Sequence, residues 1–265
     1  MMSQKENRRL EVAWVPTLIH KGNGRCRLAL ISCVVLLLTA INAIGQEKAA
    51  NRESEAPRFE SEINAFEAYD HKNAWPRNSI LFVGSSTIRL WQTADAFPSL
   101  PIMNRGFGGS TVADVNRYAD AIVFKYKPRV IVFYAGDNDI AAGRSADRVF
   151  TDFQTFATMV RDRLPETPLI YLAIKPSIAR WKLWPTMQTV NNRVKDLASA
   201  NKQLIFVDTA PPLLGSDGMP QKSLFRDDGL HMSDDGYAAW NKLLAPLLRA
   251  HADSEGSRST SAIVP

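Results

Sequence analysis

The chain of 265 residues is 45% hydrophobic and 22% charged, a balance typical of globular proteins that excludes collagen-like and wholly disordered classes. Its formal net charge of +5 comes mainly from residues 1–45, where six Lys or Arg outnumber two Glu, which leaves +1 for the rest. A near-neutral body has no electrostatic basis for binding nucleic acid, so that class of partner is excluded.

The N-terminal segment has the pattern of an export leader. A charged stretch ends at Arg27, an apolar run follows over residues 28–44, and small residues stand at Ala43 and Gly45. This pattern predicts a signal peptide over residues 1–45. An uncleaved anchor in the inner membrane is the alternative, because about 17 apolar residues are borderline for a span. In either case we expect an exported protein, periplasmic or secreted.

Polar segments flank the expected domain. Residues 46–57 are predicted to be a linker, and residues 251–265 a disordered tail, which leaves residues 58–250 as one domain. Both cysteines, Cys26 and Cys33, lie in the leader. The domain is therefore expected to contain no disulfide, thiol nucleophile or cysteine-based metal site.

Strand-like and helix-like segments alternate through this domain. Short apolar runs predict strands of the kind that are covered on both faces, at about residues 79–84, 101–105, 129–135, 168–174 and 203–208. Apolar residues at helical spacing predict intervening helices, one of them around residues 58–70 and a last one capped by Ser233. The fold class is therefore α/β, a three-layer α/β/α sandwich with a five-stranded parallel sheet. Ligands are expected at the carboxyl ends of its strands.

The first strand is followed by Gly84-Ser85-Ser86 at a strand-to-helix turn. Glycine permits a tight turn, and the first turn of a helix points its N–H groups at a ligand. A serine at this place can act as a nucleophile and use its own N–H as an oxyanion donor. A simple helix cap, or a phosphate loop of the flavodoxin type, remains an alternative interpretation.

Two further motifs follow the second and third strands. Gly108-Gly109 lets the backbone approach a ligand closely, although a plain turn capped by Ser110 or Thr111 is an equal alternative. Gly136-Asp137-Asn138-Asp139 contains an amide able to donate to a developing oxyanion, and an Asx-capped turn is its alternative.

A fourth motif, Asp228-Gly229-Leu230-His231, supplies a base with an orienting acid. A carboxylate three residues before a histidine can hold the imidazole in one tautomer and stabilise the imidazolium. Asp227 is a rival acid, and a surface histidine before a helix is the alternative to a catalytic one. The four motifs, in this order at the ends of strands, predict a serine esterase.

These motifs resemble those of the SGNH hydrolases, also called GDSL esterases/lipases. The similarity covers about residues 58–250 and is strongest to the branch that includes the catalytic subunits of platelet-activating-factor acetylhydrolase. It implies a flavodoxin-like SGNH hydrolase fold. The chain departs from the family at Ser85, where an Asp is usual, and at Ser110, where an acidic residue often follows the glycine pair.

The same resemblance assigns the site residues. The nucleophile of the family is the third residue of the first motif, which indicates Ser86 over its neighbour. By the same carry-over His231 is the base and Asp228 its partner. The oxyanion hole is formed by the N–H of Ser86 with Gly109 and Asn138.

The segment from Lys175 to Trp184 follows the fourth strand and is expected to overhang the site. Arg180, Trp181 and Trp184 are candidate substrate-binding residues, a sugar-stacking platform with a polar clamp, unless the tryptophans simply pack on the domain. Without an evident long lid or acyl tunnel, short acyl groups are favoured. Together with export, this indicates acetyl esters, on a carbohydrate or another small alcohol.

The mechanism needs no metal or organic cofactor. The expected partner is a small-molecule or glycan ester, with no nucleic acid, and a membrane only through an N-terminal anchor; no oligomeric state is indicated. Three alternatives remain: a lysophospholipase or thioesterase acting on lipids, a glycan O-acetyltransferase with the same triad, and a flavodoxin-like binding module without chemistry.

Overall fold

Five parallel strands form the centre of the computed structural model, which describes residues 58–253. They lie in the order β2-β1-β3-β4-β5 and are β1 (Ile80–Gly84), β2 (Ile102–Gly106), β3 (Val130–Tyr134), β4 (Leu169–Leu172) and β5 (Leu204–Val207). Every strand predicted from an apolar run is confirmed to within two residues. All residues of β1, β3 and β4 are buried, as expected when both faces of a parallel sheet are covered.

Helices cover both faces of the sheet. They are α1 (Glu60–Lys72), α2 (Ser86–Arg89), α3 (Thr93–Ala96), α4 (Val112–Ile122), α5 (Asp137–Ala141), α6 (Ala146–Arg163), α7 (Trp184–Ser199) and α8 (Asp234–Asp253). Successive strand residues point to opposite faces. Leu81 and Val83 pack with α1, α4, α6 and α7, whereas Ile80 and Phe82 pack with α2 and α8. The predicted three-layer sandwich is thereby confirmed.

The ends of two helices show how local sequence fixes this arrangement. Thr111 caps α4 in a reciprocal capping box with Asp114, so one of the two predicted cap residues has that role. The hydroxyl of Ser233 accepts from the N–H of Gly236 at 3.3 Å and caps α8 as predicted.

The predicted leader, the linker and nearly all of the predicted tail lie outside the described residues. No helix within residues 58–253 is long and apolar enough to cross a membrane.

Gly84, the last residue of β1, is expected to tolerate no side chain. Its φ is +141°, and a Cβ built on it would lie 1.8 Å from the backbone oxygen of Tyr134 on the neighbouring strand. We therefore expect Gly84→Ala to lower the free energy of unfolding by roughly 4 kcal/mol or to prevent folding. Denaturant unfolding measures the loss.

Gly218→Ala is the matched control for that prediction. Gly218 also has a positive φ, +75°, but nothing lies within 4 Å of a Cβ built there. It should lose only about 1 kcal/mol, the penalty of the backbone conformation. Equal losses in the two variants would contradict the close approach of β1 and β3.

Candidate active site

The order of the strands brings three of the motifs together at the carboxyl ends of neighbouring strands. β1 lies between β2 and β3, and all three strands run in the same direction. Ser86 follows β1, Gly109 follows β2 and Asn138 follows β3, each just beyond the carboxyl end of its strand. This end of a parallel sheet is where open α/β folds bind their ligands.

Ser86 is the first residue of α2, and its side chain points to a histidine. Its Oγ lies 3.0 Å from Nε2 of His231. Its N–H belongs to the first helical turn, where N–H groups have no acceptor within the helix. Ser85, by contrast, is fully buried; it occupies the N-cap position of α2, but its Oγ makes no capping hydrogen bond and has no partner among residues 58–253. The contact to the imidazole therefore distinguishes Ser86 from its neighbour.

The short helix that carries Ser86 is held by distant side chains. The hydroxyl of Tyr237 donates to the backbone oxygen of Thr87 at 2.8 Å. The amide of Asn104 donates to the backbone oxygen of Ile88 at 2.8 Å. Four residues are too few to hold a helix by their own hydrogen bonds. These contacts, which the sequence did not indicate, fix the position of Ser86.

His231 and Asp228 form a compact loop. Nδ1 of His231 lies 2.6 Å from Oδ2 of Asp228, while Oδ1 of Asp228 accepts from the N–H groups of Leu230 and His231, both at 2.9 Å. Gly229 has a φ of +61°, which makes this tight turn accessible without strain. It is thus Asp228, and not Asp227, that faces the imidazole.

The Asp228 carboxylate stays ionised across the neutral range. Partial burial raises its pKa, but the hydrogen bonds from the His231 ring and from the two backbone N–H groups outweigh burial and lower the pKa to about 2. An ionised carboxylate only accepts hydrogen bonds, so Nδ1 of a neutral His231 carries the proton. Nε2 is then left as the acceptor for the Ser86 hydroxyl.

The amide of Asn138 is held from both ends. Its Nδ2 donates to the backbone oxygen of Ser110 at 3.0 Å, and its Oδ1 accepts from Nη2 of Arg180 at 3.0 Å. One of the two Nδ2 hydrogens is occupied by this contact and the other is left over. Gly109, with a φ of +79°, directly precedes Ser110, so the loops after β2 and β3 are joined at this point.

The predicted sugar platform is not formed as expected. Trp184 is only 9% exposed and packs in the core, which favours the packing alternative for this residue. Trp181 is partly buried and stacks on Trp184 with ring centroids 6.3 Å apart. The guanidinium of Arg180 is occupied by Asn138 and by Asp137, to which it donates at 2.8 Å.

Two buried ionisable side chains near the site were not recognised as functional from the sequence. Asp139 accepts from the N–H of Val112 at 3.1 Å, and burial raises its pKa to about 6. Lys175 donates from Nζ to the backbone oxygen of Leu230 at 2.8 Å, and burial lowers its pKa to about 8. Asp139 joins α5 to the first turn of α4, and Lys175 supports the loop that carries His231.

Fold and site together define a class: a three-layer α/β protein with a serine, a histidine and an aspartate in contact at the carboxyl ends of its strands, as in serine-type hydrolases. Within residues 58–253 no group of three or more His, Cys, Asp or Glu is placed to hold a metal ion.

The sequence matches the profile of the GDSL-like Lipase/Acylhydrolase family over residues 88–239, more than half of the chain. The chain belongs to this family and is a hydrolase of ester bonds. The matched range includes Gly109, Asn138, Asp228 and His231, and it begins two residues after Ser86. No curated protein matches the sequence significantly.

Solved structures have the same fold. A protein from Streptococcus pneumonia, provisionally named a platelet activating factor, is 25% identical with a TM-score of 0.66, covering 78% of this chain and 99% of its own. A GDSL-like lipase from Bacteroides thetaiotaomicron is 20% identical with a TM-score of 0.61, covering 71% and 97%. An acetylxylan esterase from Geobacillus stearothermophilus is 16% identical with a TM-score of 0.54, covering 66% and 95%.

Proposed function

We propose that this protein is an exported serine esterase that removes short acyl groups, acetyl foremost, from a carbohydrate or another small alcohol. The observation that carries the proposal is the continuous chain of contacts from Ser86 through His231 to Asp228, with separations of 3.0 and 2.6 Å. A hydroxyl aligned on an imidazole that a carboxylate orients is an activated nucleophile.

The proposed reaction is a two-step acyl transfer. Oγ of Ser86 attacks the ester carbonyl carbon while its proton passes to Nε2 of His231. The tetrahedral oxyanion accepts hydrogen bonds from the N–H groups of Ser86 and Gly109 and from Nδ2 of Asn138. The bond to the alcohol then breaks, and His231 protonates the departing oxygen. Water then attacks the acyl carbon while its proton passes to Nε2 of His231; the bond from that carbon to Oγ breaks, and His231 returns the proton to Oγ as the acid leaves.

The exposure of the triad supports a substrate with a small acyl group and an alcohol part that can remain in the solvent. The side chain of His231 is 26% exposed and that of Asp228 is 47% exposed, so the reacting atoms lie near the surface. Beside them Ile178, 42% exposed and adjacent to Gly229, offers one apolar contact. Such a site suits an acetyl group better than a long chain, which gains from extended apolar burial. The acetylxylan esterase of similar fold acts in the same substrate range.

Export is proposed from the leader pattern alone. Residues 1–45 combine a basic stretch with an apolar run and small residues at its end, the layout of a signal peptide or anchor. An extracytoplasmic esterase would meet acetylated polysaccharides directly, which fits the proposed substrate class.

A panel of esters tests the proposal. We expect kcat/KM toward 4-nitrophenyl esters to be highest for acetate and to show no rise toward octanoate, because each added methylene finds no further apolar surface against which to be buried. Acetate should also be released from acetylated xylan. The Ser86→Ala variant is the blank for both assays.

Each other result would overturn the proposal in its own way. A preference for long acyl chains would indicate a lipid hydrolase. Transfer of acetyl to an added saccharide in preference to water would indicate an acetyltransferase. Folded protein without activity on any ester would contradict the proposed esterase chemistry altogether.

A further inference from the structure

Arg180 belongs to the segment after β4 and joins it to the first turn of α5, which follows β3. Its Nη1 donates to Oδ2 of Asp137 at 2.8 Å, and its Nη2 donates to Oδ1 of Asn138 at 3.0 Å. The side chains of Arg180 and Asp137 are only 17% and 6% exposed. A substrate would therefore meet a largely buried guanidinium that already donates from both Nη atoms to protein acceptors, an arrangement that suits a structural link better than the substrate clamp expected from the sequence.

The contact with Asn138 has two chemical consequences. A guanidinium has donors only, so it can donate to Oδ1 of Asn138 but cannot pair with the NH2 group of a flipped amide, which fixes Nδ2 on the other side. Donation by a cation to the oxygen of an amide also polarises the amide and strengthens the hydrogen bonds that its nitrogen donates. One Nδ2 hydrogen is directed to Ser110, and the other is available to an oxyanion.

Asp137 supports the guanidinium of Arg180 by accepting a hydrogen bond from its Nη1. The side chain of Asp137 is buried, and its Oδ1 has no hydrogen-bond partner among the described residues. A buried, incompletely paired carboxylate is weak evidence for a gain in stability. Its observable effect is to hold Arg180 in one orientation, with the second guanidinium nitrogen on Asn138.

We propose that Arg180 is a positioning residue that orients and polarises the Asn138 amide as an oxyanion donor. Asp137 in turn fixes Arg180. The inference rests on the proposed serine esterase function and assigns Arg180 to the transition state, with no contact to the substrate.

A double-mutant cycle between Arg180→Ala and Asn138→Ala tests this assignment with 4-nitrophenyl acetate. Removal of one oxyanion donor costs about 10²–10³ in kcat, so Asn138→Ala should lose that much. Arg180→Ala should lose about 10- to 100-fold in kcat, with KM changed less than about twofold. In the Asn138→Ala background the same change should have almost no effect, because the group it acts on is gone.

Two further variants sharpen the test. Lys182→Ala removes an exposed cation from the same segment and should keep full activity. Arg180→Lys keeps the charge, but a single ammonium lacks the fork that spans both partners, so it should lose most of the same activity. Added guanidinium ion at millimolar concentration should restore part of the kcat of Arg180→Ala and none in the double variant. If Arg180→Ala fails to fold, the cycle is run with Arg180→Lys.

The outcomes separate this inference from the proposed function. Losses that simply multiply in the double variant, or a rise in KM with kcat unchanged, would overturn the positioning assignment while Ser86-dependent hydrolysis persists. Hydrolysis that survives in Ser86→Ala would instead overturn the proposed function on which the assignment rests.

Discussion

Ser86→Ala is expected to lower kcat for ester hydrolysis by roughly 10³- to 10⁶-fold while leaving the fold intact. The substitution removes only the hydroxyl, whose Oγ lies 3.0 Å from Nε2 of His231. The proposed reaction starts with the transfer of the hydroxyl proton to this nitrogen. The short helix keeps its other supports, from Tyr237 and Asn104. Steady-state kinetics on 4-nitrophenyl acetate measure the loss, and circular dichroism checks the fold.

Ser85→Ala is the matched control, because it removes the same group one residue away. The Ser85 hydroxyl is fully buried and has no hydrogen-bond partner in the described part of the chain, so its loss should change activity less than about threefold. If Ser85→Ala were inactive and Ser86→Ala active, the nucleophile would be Ser85 and the assignment of Ser86 would be wrong.

Asp228→Asn should lower kcat by about 10⁴-fold with little change in KM. An asparagine amide can donate to Nδ1 of His231, which favours the tautomer with the proton on Nε2 and removes the acceptor for the Ser86 hydroxyl. Its carbonyl oxygen can still accept from the N–H groups of Leu230 and His231, so the loop should keep its shape. Asp227→Asn is the control, and it should stay close to wild type.

The same variant carries a pH signature. The pKa of Asp228 lies at about 2, below its ordinary value of 3.8, so its stabilising contribution is complete above pH 3.8 and is lost as the pH falls toward 2. The difference in free energy of unfolding between wild type and Asp228→Asn should therefore narrow over that interval. A difference that stayed constant would contradict the ionised pair with His231.

The sheet and the triad candidates could be predicted because their signals are local. The strands are continuous apolar runs, and Asp228 lies three residues before His231, close enough for one loop to join them. The strand before Ser85 and Ser86 marks both alike, and it was the resemblance to the SGNH hydrolases that selected Ser86 and placed it in one site with His231.

The support of the site could not be predicted, because its partners are distant in sequence. Arg180 meets Asn138 across 42 positions, and Lys175 meets the loop of His231 across 55 positions to Leu230. Such pairs depend on the order of the strands in the sheet. The apolar periodicity of the sequence predicts strands and helices but not that order. The sequence left the role of Trp184 open for a related reason: a tryptophan at the start of an amphipathic helix serves equally for packing or for binding until its neighbours are known.

Labelling with a fluorophosphonate probe, followed by mass spectrometry of the modified peptide, tests the central claim most directly. The probe reacts with a serine that an adjacent base has activated. We expect attachment at Ser86 in the wild type and its loss in His231→Ala. Attachment at Ser85, or well-folded protein that takes up no probe, would contradict the assignment of Ser86 as an activated nucleophile.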